Sequence, residues 1–186
     1  LKNVLIIGAS RTGKTTLATI ICQKYNYQYI SGDSIRNSLI KIFPETNITI
    51  KMATKDKRLC EYIKHLTQEN NFHLKGNLNY VIDSTNITIN NALKYFNKYL
   101  IIVLGCTKLN KDEYLKNIRN NDTEKDWTFY HDDEYLLLEC EHSIEKSKKL
   151  KKECIKKNIK YFEMSHNREE KLYEILNYIE EKIGDN

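Results

Sequence analysis

The sequence predicts an α/β fold in three layers, a five-stranded parallel sheet between helices, and three observations predict it. Short β-rich runs alternate with longer stretches of helical periodicity, the signature of parallel strands joined by crossover helices. The first apolar run, Val4-Leu5-Ile6-Ile7, passes through a glycine-bounded turn, Gly8 to Thr15, straight into a helical pattern. The length of 186 residues suits a single domain, residues 1–186, with a sizeable core.

Taken in order, the first strand covers about residues 2–7 and the first helix 14–25, with four consecutive apolar residues in the strand. A strand at 27–31 carries Tyr29-Ile30 and leads to a helix at 33–42. Residues 40–77 interrupt the alternation: two helical patterns, the second at 54–70, are broken by the only proline, Pro44, and closed by the polar stretch Glu69 to Asn79. Strand 79–83 is built on Tyr80-Val81-Ile82 and precedes a helix at 87–97; strand 99–104 precedes a helix at 110–119. Residues 120–131 lack periodicity and hold the only tryptophan, after which come a long helix at 132–157, a strand at 159–163 and a helix at 168–183. No internal repeat is visible.

The turn reads Gly8-Ala9-Ser10-Arg11-Thr12-Gly13-Lys14-Thr15, a complete G-x-x-x-x-G-K-[ST] phosphate-binding loop between a strand and a helix, so the expected fold is that of P-loop NTPases. In such a loop the backbone N–H groups, here those of residues 10–16 including Thr16, converge on phosphate oxygens, and the following helix points its positive end at them. Lys14 would reach the β and γ phosphates of ATP, and the Thr15 hydroxyl would ligate Mg²⁺.

In an open parallel sheet, ligands collect at the carboxyl ends of the strands. The second strand ends in Ser31-Gly32-Asp33-Ser34-Ile35-Arg36, which places Asp33 at the strand end and Arg36 one helical turn later, facing the same crevice. A carboxylate and a guanidinium opposite ATP suit an acceptor held by its anionic group and, if it is an alcohol, deprotonated. Asp33 would equally serve as a helix cap. The third strand ends in Asp83-Ser84-Thr85-Asn86, where Asp83 would back the waters of Mg²⁺ and the next three residues are good caps.

Together these segments resemble the adenylate-kinase-like group of P-loop kinases over nearly the whole chain, with Ser31 to Arg36 similar to the acceptor-phosphate segment of nucleoside monophosphate kinases. The resemblance implies that 40–77 form an acceptor-binding flap and 120–131 lie in a lid, where Arg119 would clamp the transferring phosphoryl group, with Lys125 as a weaker substitute. Asp83-Ser84-Thr85-Asn86 departs from adenylate kinases, which carry Asp-Gly-[Phe/Tyr]-Pro-Arg there. It is similar instead to polynucleotide 5′-kinases and related hydroxyl kinases, which use an Asp-x-x-Arg pair with the aspartate as general base. The expected function is therefore transfer of the γ-phosphate of Mg·ATP to a small anionic acceptor, first of all a nucleotide. The alternative is a hydroxyl acceptor, a metabolite or a nucleic-acid 5′ end, with Asp33 as base. Near the carboxyl terminus, Ser165-His166-Asn167-Arg168 resembles the loop bordering the adenine ring, so Arg168 would stack on the base, or else the segment simply caps a helix.

Other classes fit less well. Cys106-Thr107-Lys108-Leu109-Asn110 faintly resembles the guanine-reading segment of GTPases, but Asn110 replaces its final carboxylate and no D-x-x-G follows Asp83. The net charge of +5 is mostly lysine, densest from Lys146 to Lys160. Without interleaved aromatics that stretch reads as a solvated helix face rather than a nucleic-acid surface. Five cysteines, odd in number and without a C-x-x-C pair, argue against a disulfide framework or a zinc site. Apolar runs are too short to cross a bilayer, and the chain enters its first strand at once; a cytoplasmic protein without a signal peptide or membrane partner is expected.

Overall fold

The computed structural model describes residues 3–44, 57–76 and 78–184. In chain order the elements are β1 (Val4–Gly8), α1 (Lys14–Tyr25), β2 (Gln28–Ser31), α2 (Gly32–Ile42), α3 (Lys57–His73), β3 (Tyr80–Ser84) and α4 (Ile89–Tyr95). There follow β4 (Leu100–Gly105), α5 (Lys111–Asn120), a 3-10 turn (Trp127–Tyr130), α6 (Asp133–Lys157), β5 (Tyr161–Glu163) and α7 (Arg168–Gly184).

The strands pair in parallel as one sheet in the order β2-β3-β1-β4-β5. Alternate residues of each strand serve opposite faces. On one face Val4, Ile6, Val81, Ile102 and Leu104 pack with Leu17 and Ile21 of α1 and Ile175 and Ile179 of α7. On the other, Leu5, Ile7, Ile82 and Val103 pack with Leu59 and Ile63 of α3 and Ile89, Ala92 and Phe96 from the α4 region. Each such apolar side chain, wholly withdrawn from water, contributes about 1.5–3 kcal/mol. Two buried faces explain why these strands are continuously apolar in sequence.

Consecutive strands lie on either side of β1, which is flanked by β3 and β4. The chain thus reverses its direction of travel at β1, and a crevice opens beyond the carboxyl ends there. All five expected strands and the expected helices are present, with shifted ends: the helix expected at 87–97 is shorter, starting after Thr88, whose hydroxyl caps it by accepting from the Asn91 amide. Residues 45–56 and 77 of the expected flap lie outside the described residues. All five cysteines are unbridged. Among the described residues no helix is long and apolar enough to cross a membrane.

Candidate active site

The phosphate loop is held from within and from both sides. Gly8 has no room for a side chain, since a Cβ there would sit 2.5 Å from the Leu104 carbonyl oxygen of the neighbouring strand. Gly13 adopts φ 88°, a left-handed conformation that suits glycine, at the position preceding α1. The Ala9 carbonyl accepts from Thr12 Oγ1 (2.9 Å) and from Lys14 Nζ (2.7 Å), so the loop curls over its own lysine. From α5, the buried Tyr114 donates its hydroxyl to the Ser10 carbonyl at 2.6 Å. Lys14 is buried, which pushes its ammonium down from the ordinary value, while the carboxylates of Asp33 and Asp83 oppose that shift. Thr15 and Thr16, in the first turn of α1, are exposed.

Asp83, at the end of β3, is 3% exposed and accepts from Thr15 Oγ1 at 2.8 Å and from the Tyr29 hydroxyl at 3.0 Å, one on each oxygen. Burial raises its carboxyl above the ordinary value, and the two hydroxyl donors and Lys14 pull it back. Among the described residues no cluster of three or more His, Cys, Asp or Glu side chains gathers as a metal cage. One hydroxyl and one carboxylate beside a phosphate loop nevertheless fit Mg²⁺, which keeps several waters and shares its coordination with phosphate. Thr15 and Asp83 are the residues that would hold it.

Asp33 stands in the first turn of α2, not at a strand end, and it does not cap that helix. The cap is Ser31, whose hydroxyl accepts from the Ser34 amide at 3.1 Å. Asp33 instead reaches the residues after β3. Its Oδ1 accepts from Ser84 Oγ (3.2 Å), the Thr85 amide (3.1 Å) and Asn86 Nδ2 (2.8 Å). Oδ2 receives the other branch of the Thr85 amide at 3.2 Å. Ser84, Thr85 and Asn86 are therefore anchors for Asp33 rather than helix caps.

Lys146 of α6 corrects the reading of its stretch as a solvated face. It is half-buried and donates to the Thr85 carbonyl, next to the Asp33 anchor. Burial and the nearby charge of Lys14 lower its ammonium to about 8, with Asp33 opposing. Its lysine neighbours 148, 149, 152, 156 and 157 are exposed as expected.

The arginines are placed differently from one another. Arg36 follows Asp33 by one turn on α2, donates to Asn37 Oδ1 at 2.9 Å, and keeps a solvent-inaccessible Nε with no partner among the described residues. Arg119, at the end of α5, is engaged with the segment that follows it: it donates to Asp133 Oδ1 (2.9 and 2.7 Å), the His131 carbonyl (2.7 Å), the Thr128 carbonyl (3.2 Å) and Asp122 Oδ2 (3.4 Å). Arg11 of the phosphate loop also reaches that segment, pairing with Asp126 and with Asp122 at 3.1 Å. Lys125 is exposed. Arg168, at the start of α7, is half-buried, donates to the Met164 carbonyl at 3.3 Å, and lies near Cys106 and Tyr114 beneath the loop.

The segment compared with a guanine reader is pinned by neighbours: Glu163 accepts from the Thr107 amide at 2.8 Å, from the Thr107 hydroxyl and from Ser165 Oγ at 2.6 Å, and the Lys108 amide donates to Ser165 at 3.2 Å. Glu163 and Ser165 thus fix the backbone at residues 107 and 108, just beyond the carboxyl end of β4.

No protein-family model matches the sequence, and no curated protein matches it. Solved structures do. A shikimate kinase from Bacteroides thetaiotaomicron is similar with a TM-score of 0.59 at 15% identity, over 95% of this chain and 98% of that one. A shikimate kinase from Acinetobacter baumannii in complex with shikimate gives 0.60 at 11% identity, over 98% and 94%. A gluconokinase from Sinorhizobium meliloti gives 0.56 at 12% identity, over 97% of each. The chain has the fold of these P-loop kinases.

Proposed function

We propose that this chain is an ATP-dependent phosphotransferase that moves the γ-phosphoryl group of Mg·ATP to a hydroxyl of a small anionic acceptor. The observation that carries the reading is the anchoring of Asp33: one oxygen is saturated by three donors, while the other holds a single shared amide and retains room for a hydroxyl proton. Asp33 would take that proton as the acceptor oxygen bonds to phosphorus and the bond from phosphorus to the bridging β–γ oxygen breaks, releasing ADP. Mg²⁺, held by Thr15 and Asp83, would supply charge neutralisation for the phosphates.

The loop amides and Lys14 would stabilise charge on the transferring group, in a site that keeps water away from the lysine. Lys146 and Arg36 flank Asp33 and would hold the acceptor's anionic group. Arg168 would border the adenine. Arg119, or Arg11, would face the phosphoryl group once released from the lid acids. The names of the neighbours support the hydroxyl reading, since shikimate and gluconate are hydroxylated carboxylates. A nucleotide belongs to the same anionic class, and Arg36 with its unpartnered Nε supports it, but a phosphate acceptor gives Asp33 no proton to take. Nothing in the comparisons supports a nucleic-acid 5′ end.

The test is an ADP-release assay against hydroxylated carboxylates, nucleoside monophosphates and 5′-hydroxyl oligonucleotides, with Asp33→Asn beside the wild type. Turnover on a hydroxyl acceptor that falls about 10²- to 10⁴-fold in Asp33→Asn, with the ATP KM unchanged, is the expected result. Turnover confined to monophosphates and untouched by the substitution would replace it with the nucleotide-kinase reading.

A further inference from the structure

Tyr29 is a tyrosine whose place in β2 is not explained by packing. It is 44% exposed, on the strand at the sheet edge, yet its hydroxyl crosses to β3 and donates to Asp83 Oδ1 at 3.0 Å. The sheet register makes this reach natural: Tyr29 lies beside Val81 and Ser31 beside Asp83, so Tyr29 and Asp83 are diagonal neighbours two residues apart. A long aromatic side chain spans that diagonal and a shorter one does not.

What the contact does follows from counting lone pairs. Asp83 is 3% exposed, and its two carboxylate oxygens are met by one hydroxyl donor each. Thr15 donates its only proton to Oδ2, which leaves its oxygen lone pairs free for a cation. Tyr29 donates its only proton to Oδ1, which fixes the carboxylate against rotation and leaves each of its oxygens further lone pairs for metal-bound water.

We propose that Tyr29 is a positioning residue for the divalent cation of this site: through its hydrogen bond it aims Asp83 at the cation's waters, and its own phenol oxygen accepts from one of them. The inference rests on the kinase reading above and adds to it a residue outside the phosphate loop and the acids Asp33 and Asp83. It implies a cation site organised by hydroxyl groups around a single carboxylate, with an affinity sensitive to a partner that never touches phosphate.

The probes are Mn²⁺ and ADP. Free Mn²⁺ is counted by its paramagnetic resonance signal with wild-type and Tyr29→Phe protein saturated with ADP, and ADP affinity is measured calorimetrically in EDTA. Removal of one such supporting partner weakens a metal site by about 10- to 100-fold, so Tyr29→Phe should bind Mn²⁺ at least about tenfold more weakly. Its ADP affinity in EDTA should match the wild type, its melting temperature should be unchanged, and its turnover should recover as Mg²⁺ is raised. Equal Mn²⁺ affinities in the two proteins would overturn the inference. So would a matching loss of ADP affinity in EDTA, which marks a merely structural role. A wild type that binds no ADP at all would overturn the kinase reading itself and Tyr29's part with it, an outcome distinct from the other two.

Discussion

Arg11 in the phosphate loop and Asp122 in the segment between α5 and α6 form an ion pair of 3.1 Å, and Asp122, with 4% of its side chain exposed, also lies 3.4 Å from Arg119. One carboxylate therefore holds two of the chain's arginines, and Thr128 donates its hydroxyl to the same group. This segment, the one expected to act as a lid, is fastened to the loop that would bind phosphate. If a phosphoryl group binds between these arginines it would compete with Asp122 for them, and the position of the segment would then follow nucleotide occupancy.

Asp122→Ala should therefore loosen the lid. Two guanidinium groups lose a shared, desolvated partner, and the segment 121–131 should become a preferred site of limited proteolysis. The check is the cleavage rate in that segment without nucleotide, expected to rise by about an order of magnitude over the wild type. An unchanged rate would mean that the 3-10 turn and Arg119's other bonds fix the lid without Asp122.

Lys14→Ala should cut kcat by at least about a hundredfold, because it removes a charge aimed at the transferring group. The fold should survive, since the lysine's own bond is to a loop carbonyl and a buried cation is lost with it. Circular dichroism and turnover measured side by side check both halves of this expectation.

Lys146 gives the acceptor side a pH signature. Its ammonium is lowered to about 8, so it is charged below that pH and neutral above it. Binding of an anionic acceptor should weaken as pH rises through about 8, visible as an alkaline limb in kcat/KM for the acceptor. Lys146→Arg stays charged and should remove that limb; Lys146→Gln should weaken the acceptor at every pH. The ATP KM should follow neither change.

Asp83→Asn should trade activity for stability. Because burial raises the Asp83 carboxyl in the folded state, the folded chain holds this proton more tightly than the unfolded one. The wild type therefore loses stability as pH climbs through the raised value, and asparagine, which has no proton to lose, does not. Urea unfolding should show Asp83→Asn as the more stable protein at pH 7 and the two as equal near pH 3, with turnover at pH 7 reduced by orders of magnitude.

The parts legible in the sequence were those carried by local pattern. The inner strands β3, β1 and β4 are largely apolar on both faces, so each stands out as a run, and the phosphate loop is contiguous from Gly8 to Thr15. Contacts between segments were harder to read. Tyr29 meets Asp83 only because β2 lies beside β3, and strand order is not written in any one segment. Lys146 was one lysine among many on a long helix. A signal did exist: Ser143 and Ser147 are small, buried residues one turn apart on this helix, and Ser147 packs against Gly105 of β4 and accepts from the Cys106 amide at 3.1 Å, so this part of the helix lies close to the sheet. Arg119 stands out in the sequence for its charge, while Asp122 and Asp126, in a stretch without periodicity, and Asp133, at the start of the long helix, give no sign that they hold Arg11 and Arg119.

The anchoring of Asp33 also bears on how such a chain can change over generations. Every hydrogen bond it is given comes from residues 84–86, immediately after β3, and none from α3 or the residues described beyond it up to 76. On the proposed reading, Asp33 and the charges beside it that would hold an anion are held apart from α3, which the resemblance places in the acceptor flap. Substitutions in α3 can accumulate, and acceptor preference can drift, while the carboxylate stays where it is. A lineage built this way could exchange one small molecule for another without rebuilding its chemistry, and divergence would concentrate in that segment while residues 83–86 stay fixed.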